Sequence, residues 1–154
     1  MIILGIDPGF ARLGFGVIEE TNGKAQAITY GCFETSSKMA HPERLLKIYK
    51  EMQRLIKKYK PKRIAFEHLF FSKNVKTAMA VGEARGVIML ACAEAKIPSI
   101  EIMPNQIKQA ITGYGAADKQ QIQKMVKLIL GLKEIPKPDD AADALGIAIV
   151  AARM

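Results

Sequence analysis

A chain of 154 residues, 49% apolar and 25% charged, has the composition of one globular domain able to bury its own core, here taken as residues 1–154. Its net charge of +8 points to an acidic partner, nucleic acid ahead of a membrane surface. Two cysteines, Cys32 and Cys92, without a CxxC or Cys/His neighbourhood, exclude a disulfide framework and argue against zinc.

No apolar run approaches the roughly 18 residues of a membrane span, and the first is too short for a signal peptide. The expected setting is a reducing cytoplasm, with no membrane partner. In chain order, residues 2–6 are a β-branched apolar run that reads as a buried strand closing on Asp7-Pro8-Gly9. A second strand spans about 14–20, Asn22-Gly23 is a hairpin turn, and a third strand spans about 25–34. Pro42 opens a helix to about residue 60. Leu45, Ile48, Met52, Leu55 and Tyr59 form its apolar stripe, and Arg44, Lys47, Lys50, Arg54, Lys57 and Lys58 read as its solvated face.

Residues 63–67 form a short strand ending in Glu67, followed by a loop carrying Phe70 and Phe71. A long helix covers about 75–96, with Asn74 as candidate N-cap. Gly82 and Gly86 interrupt it at a cost of about 1 kcal/mol each against alanine, so something approaches closely there: the sheet, or a second copy of the helix. A fifth strand covers 97–102 and a short helix 104–112. Asp118 and Gln121 fit a capping box for a helix ending at Gly131, and a last helix begins near Asp140. Crossovers of this length make strands one, four and five parallel, giving a five-stranded mixed sheet with helices on both faces, an α/β fold.

Three acids break the core pattern. Asp7 and Glu67 each end a core strand, and Asp143 sits a full turn inside a helix that is apolar nearly all round. Parallel neighbours would present Asp7 and Glu67 at one sheet edge, and the last helix beside them would add Asp140 and Asp143, which share a helix face. N-capping is the plain reading of Asp139 and Asp140, and one of them is expected to cap. Four carboxylates in one cleft need cations, and oxygen ligands suit Mg²⁺ or Mn²⁺. Two such ions about 4 Å apart clamp both oxygens of an in-line phosphodiester displacement. His41 reads as a helix-start residue, and His68, which follows Glu67, as a loop position without a role ahead of a base standing behind the acids. Lys119 sits where side-chain charge and helix N-terminal amides both favour phosphate. Phe70 or Phe71 would stack an unpaired base for roughly 1–3 kcal/mol, or would pack the loop instead.

Together, Gly5-Ile6-Asp7-Pro8-Gly9, Gly14-Phe15-Gly16-Val17, Phe66-Glu67, Gly82-Glu83-Ala84-Arg85-Gly86 and Asp140-Ala141-Ala142-Asp143-Ala144-Leu145 resemble the RuvC family of Holliday-junction resolvases, in order and over nearly the whole chain. The resemblance implies an RNase H-like fold and a homodimer, with the 75–96 helix as the expected dimer surface. It implies Mg²⁺-dependent paired nicks at four-way DNA junctions that leave 5′-phosphates and 3′-hydroxyls, and a branch-migration helicase partner. It places the catalytic, metal-holding acids at Asp7, Glu67, Asp140 and Asp143. Phe70, with Phe71 beside it, falls on the base-contacting loop position; Lys108 and Lys119 fall on basic residues near the site. Arg85 lies in a family motif and is carried as a DNA-contact candidate.

Three rivals differ in class. An actin- or sugar-kinase-type ATPase shares the Asp-x-Gly turn but needs a second lobe. A non-catalytic junction or RNA binder would lack part of the acid quartet. An RNase H-like nuclease cutting RNA in hybrids has no obvious use for the loop phenylalanines.

Overall fold

The opening apolar run folds as β1 (Ile2–Pro8), one residue beyond Asp7, so the aspartate lies within the strand. The computed structural model describes residues 1–69 and 75–154. The readings placed on Phe70, Phe71 and Asn74 lie outside the described residues. The chain continues through β2 (Arg12–Thr21), β3 (Lys24–Glu34), α1 (His41–Tyr59), β4 (Arg63–Glu67), α2 (Val75–Glu94), β5 (Ser99–Ile102), α3 (Pro104–Thr112), α4 (Lys119–Ile129) and α5 (Asp139–Ala152).

The sheet order is β3-β2-β1-β4-β5. β1, β2 and β3 form an antiparallel meander. β4 pairs parallel with β1, and β5 parallel with β4. The expected α/β architecture, a mixed five-stranded sheet with the RNase H-like arrangement, is therefore present. Two boundaries shift for local reasons. β5 starts at Ser99 rather than 97, because Pro98 has no N–H for the ladder; its carbonyl instead accepts from Ile64 N. α2 ends at Glu94, ahead of Lys96, which takes a left-handed φ of 56°.

Alternation along the strands builds two apolar layers. Leu4, Ile6, Leu13, Val17, Ile64 and Phe66 pack against Ile48, Met52 and Leu55 of α1 and Ile88, Ala91 and Cys92 of α2. On the other face, Ile3, Ile18, Ala65 and Ile102 pack against α3, α4 and α5. Arg44 does not share the solvated face of α1. It is 6% exposed, its guanidinium carbon 4.5 Å from the Phe10 ring centroid and bonded to Thr35 Oγ1 and the Phe10 carbonyl. The β1–β2 turn folds over the first turn of α1 and covers it.

α5 lies unusually close to the sheet. A Cβ added at Gly5 would collide with the Ala144 carbonyl, one at Gly14 with the Asp140 backbone, and one at Gly16 with the Leu145 amide at 2.8 Å. Three glycines on β1 and β2 therefore set the height of α5. Ala141, Ala142, Ala144 and Ala148, all buried, complete the close contact from the helix side. No described helix is long and apolar enough to cross a membrane.

Candidate active site

In the β1–β4 pairing Ile6 faces Phe66, so Asp7 and Glu67 follow side by side at the carboxyl ends of two parallel strands. α5, held down by the glycine floor, carries Asp140 and Asp143 above them. The electrostatics record the convergence. The Asp7 carboxyl is raised to about 7, first by burial, then by the charges of Asp143, Asp140 and Glu67. Burial likewise raises Glu67, with Asp143 adding to it and Lys108 opposing it. Asp143 is raised by burial against the opposing pull of Lys119. Four acids from three elements thus share one field.

Cations rim the cluster. Lys119 Nζ stands 3.1 Å from Asp143 Oδ2 and 3.3 Å from Asp139 Oδ2. Arg12 Nη1 is 3.6 Å from Asp140 Oδ2. Lys108, Glu67 and Asp143 line a cleft of about 130 Å³ between α3, α4 and α5. Among the described residues neither the Asp7 nor the Glu67 carboxylate has a hydrogen bond or ion pair, whereas Asp140 and Asp143 meet Arg12 and Lys119.

The donor set suits a divalent cation in its chemistry. Four carboxylates offer the hard oxygen ligands that Mg²⁺ or Mn²⁺ prefer, and the Asp7 carboxyl, raised to about 7 by burial and then by its acidic neighbours, would be stabilised in its ionised form by a cation. As the side chains stand, no three His, Cys, Asp or Glu residues among those described converge tightly enough to hold an ion together. Lys119 draws Asp143 toward α4, and Arg12 draws Asp140 toward β2. The chemistry fits; side-chain rotation away from these cations would complete the cage.

The two neighbouring aspartates separate clearly. Asp139 is exposed, accepts from Gln123 Nε2 at 3.2 Å and is held low by that bond and by Lys119. Asp140, not Asp139, contributes to the field at Asp7. Neither caps α5. The N-cap position is Pro138, with no side-chain cap, and both aspartates lie in the first turn, where an acid meets the positive end of the helix dipole. Asp118 and Gln121 do form the expected capping box, at 2.8 and 2.9 Å. The Asp118 carboxylate thereby occupies the Gln121 amide in the first turn of α4.

Arg85, carried as a DNA-contact candidate, is buried: its side chain is 9% exposed, its Nη2 lies 2.8 Å from Glu101 Oε2, and its Nη1 bonds the Glu67 carbonyl. His68 is not idle: its Nδ1 is 2.7 Å from the same Glu101 oxygen. The sequence reading also missed Arg12 and Cys32. Cys32 Sγ is 3.8 Å from Asp140 Oδ2, and burial and that carboxylate push its thiol up to about 11. The available signal was register: Cys32 pairs with Gly14, directly beneath Asp140.

The comparisons agree in one direction. The family model for the crossover junction endodeoxyribonuclease RuvC matches residues 3–151. RuvC of Caldicellulosiruptor saccharolyticus is 56% identical over 150 residues, covering 97% of this chain and 90% of that protein. RuvC of Desulfitobacterium hafniense is 53% identical over 149 residues, with the same coverage. The solved structure of Thermus thermophilus RuvC has a TM-score of 0.90 at 37% identity, over 99% of this chain and 93% of that one. The same organism's RuvC in complex with Holliday junction substrate gives 0.91 at 35%, with equal coverage. With an acid cluster at the carboxyl edge of its sheet, this chain belongs to the RuvC family of crossover junction endodeoxyribonucleases.

Proposed function

We propose that this chain, as a single domain over residues 1–154, is a junction-resolving endonuclease whose catalytic acids are Asp7, Glu67, Asp140 and Asp143. The observation that carries the reading is the convergence of Asp7 with three acids distant in sequence, its carboxyl raised to about 7 first by burial and then by their charges, in a member of a family of DNA endonucleases. The four carboxylates would hold Mg²⁺, with Mn²⁺ able to substitute, two ions per subunit. When bound, these ions supply Lewis-acid stabilisation of both the attacking and the leaving oxygen.

The chain's own residues do the rest. Asp7 must be ionised to hold a cation, so loading releases a proton at neutral pH. Lys108 and Lys119 offset phosphate charge at the mouth of the cleft, and Lys119 is free to do so once Asp143 turns away. Water attacks phosphorus, the bond from phosphorus to O3′ breaks, and O3′ takes a proton. The products are a 5′-phosphate and a 3′-hydroxyl.

The substrate would be four-way junction DNA, cut by a homodimer with one site per symmetric strand. The support lies in α2. Val75, Met79, Leu90 and Met89 are 70%, 60%, 60% and 45% exposed, and among the described residues no atom beyond the helix's own nearby backbone lies within 4 Å of a Cβ placed at Gly82 or Gly86. The outer face of the helix mixes these apolar side chains with Lys76 and Glu83, and the open glycines leave room for a second copy. Phe70 and Phe71 are retained as the base-contacting candidates. A branch-migration helicase partner and a cytoplasmic setting follow from the family alone.

The test is cleavage of a synthetic four-way junction, a linear duplex and an RNA–DNA hybrid, each with Mg²⁺ and with EDTA. Paired nicks in the junction alone, abolished by EDTA, are expected. Preferential cutting of the hybrid would replace this reading with that of a different RNase H-like nuclease.

A further inference from the structure

Among the described residues only Arg44 and Arg85 are buried charged side chains. Arg44 is spent on the β1–β2 turn. Arg85 reaches the strand that carries Glu67. Its guanidinium carbon lies 5.1 Å from the Phe66 ring centroid, Nη1 bonds the Glu67 carbonyl, and Nη2 lies 2.8 Å from Glu101 Oε2. Glu101 is the cross-strand partner of Phe66, and the same oxygen meets His68 Nδ1 at 2.7 Å. Phe66, Glu67 and His68 are therefore each held by Arg85 or by the carboxylate that Arg85 holds.

We infer that Arg85, with Glu101, is a positioning residue for the Glu67 carboxylate. The inference rests on the catalytic role proposed for Glu67. Glu67 is the last residue of β4; the following amide, of His68, donates to the Ile102 carbonyl, and Arg85 adds a side-chain hold on the Glu67 carbonyl itself. A planar guanidinium can grip a carbonyl and a carboxylate at once in fixed relative orientation; an ammonium cannot. Burying a charge is costly unless it is fully paired, and Arg85 is paired at this strand end rather than at the surface. A displacement of about 1 Å at a catalytic group costs on the order of 100-fold in rate, so the clamp has a catalytic consequence out of proportion to its size.

The test compares Arg85→Lys, Glu101→Gln, the double variant and Glu67→Gln, each checked for fold by circular dichroism and for junction affinity in EDTA. Mn²⁺ binding without DNA is read by electron paramagnetic resonance, and kcat and KM are measured with Mg²⁺. Arg85→Lys is expected to lose about 10- to 100-fold in kcat with KM within about two-fold, and to bind Mn²⁺ several-fold more weakly. Glu101→Gln is expected to show a smaller loss of the same kind, and the double variant no more than Arg85→Lys alone. Should Arg85→Lys fail to fold, Glu101→Gln carries the same comparison. A raised KM with unchanged kcat would overturn the inference in favour of a DNA contact, and unchanged Mn²⁺ binding or multiplying effects would also overturn it. Wild-type kcat in both single variants beside an inactive Glu67→Gln would defeat the clamp and leave the acid site standing. An active Glu67→Gln would defeat the acid site itself.

Discussion

The ammonium of Lys119 stands 3.1 Å from the carboxylate of Asp143, so a cation of the chain's own already stands where the donor chemistry of the acid cluster calls for one. The pair is half-exposed on the lysine side and one-third exposed on the acid side, which keeps it exchangeable rather than locked. Replacing Lys119 therefore acts on two functions at once.

Lys119→Met is expected to weaken junction binding in EDTA and to lower the slope of log affinity against log salt by about one. The check is a filter-binding or fluorescence titration at four salt concentrations. A slope equal to wild type would show that Lys119 meets no phosphate.

The ion-free protein should lose stability as pH rises. Asp7 has a folded pKa of about 7 against an unfolded value near 3.8, so between these limits the folded state binds more protons than the unfolded one. Its contribution is fully present below pH 4 and is lost as pH passes through about 7. Glu67 and Asp143, also raised, act in the same sense. In EDTA, Asp7→Asn should therefore be more stable than wild type at pH 8, by an amount on the order of 1–3 kcal/mol, and should match wild type at pH 4. Mg²⁺ should raise the wild-type melting temperature at pH 8 and leave Asp7→Asn unmoved. Thermal scans across pH with and without Mg²⁺ decide it.

Gly14→Ala should reveal how tightly the site depends on the glycine floor. The added methyl meets the backbone of Asp140, which cannot swing aside as a side chain could. A cost of about 1–3 kcal/mol is expected, with a fall in kcat beyond what instability explains, because α5 must lift and carry both aspartates with it. Gly23→Ala, in a turn with nothing within 4 Å but a φ of 79°, is the control: strained locally, silent in kcat. Chemical denaturation and single-turnover cleavage separate the two effects.

Most of the architecture was legible because it depends on local pattern. β-branched runs, Asn22-Gly23, Pro42 and the Asp118–Gln121 box name their elements, and crossover length sets which strands run parallel. The acids were legible for the opposite reason: each contradicts the local pattern. The burial of Arg44 and Arg85 was not legible because a long cationic side chain on a helix looks the same whether it meets water or an aromatic ring and a carbonyl from another element. The glycines at 5, 14 and 16 read as turn or strand residues, and their function is a contact with residues roughly 130 positions away. The pairing of Lys119 with Asp143 likewise joins two helices whose packing no periodicity encodes.

The outer face of α2 should behave as an interface. Leu90→Glu places a charge on a side chain that is 60% exposed in the isolated chain, so the monomer's stability should change by less than about 0.5 kcal/mol. Sedimentation equilibrium should show a shift from dimer to monomer, and nicking of the two junction strands should become uncoupled. A Leu90→Glu protein that remains dimeric would place the interface elsewhere.

A crystal of the protein soaked in Mn²⁺ and measured at the manganese edge locates the ions by their own signal. Peaks within coordination distance, roughly 2.0–2.3 Å, of oxygens from Asp7, Glu67, Asp140 and Asp143, with the Lys119 ammonium displaced from Asp143, are the predicted result. Manganese bound elsewhere, or no manganese with Lys119 still seated between Asp139 and Asp143 in protein that cuts junctions, would contradict the four-carboxylate site.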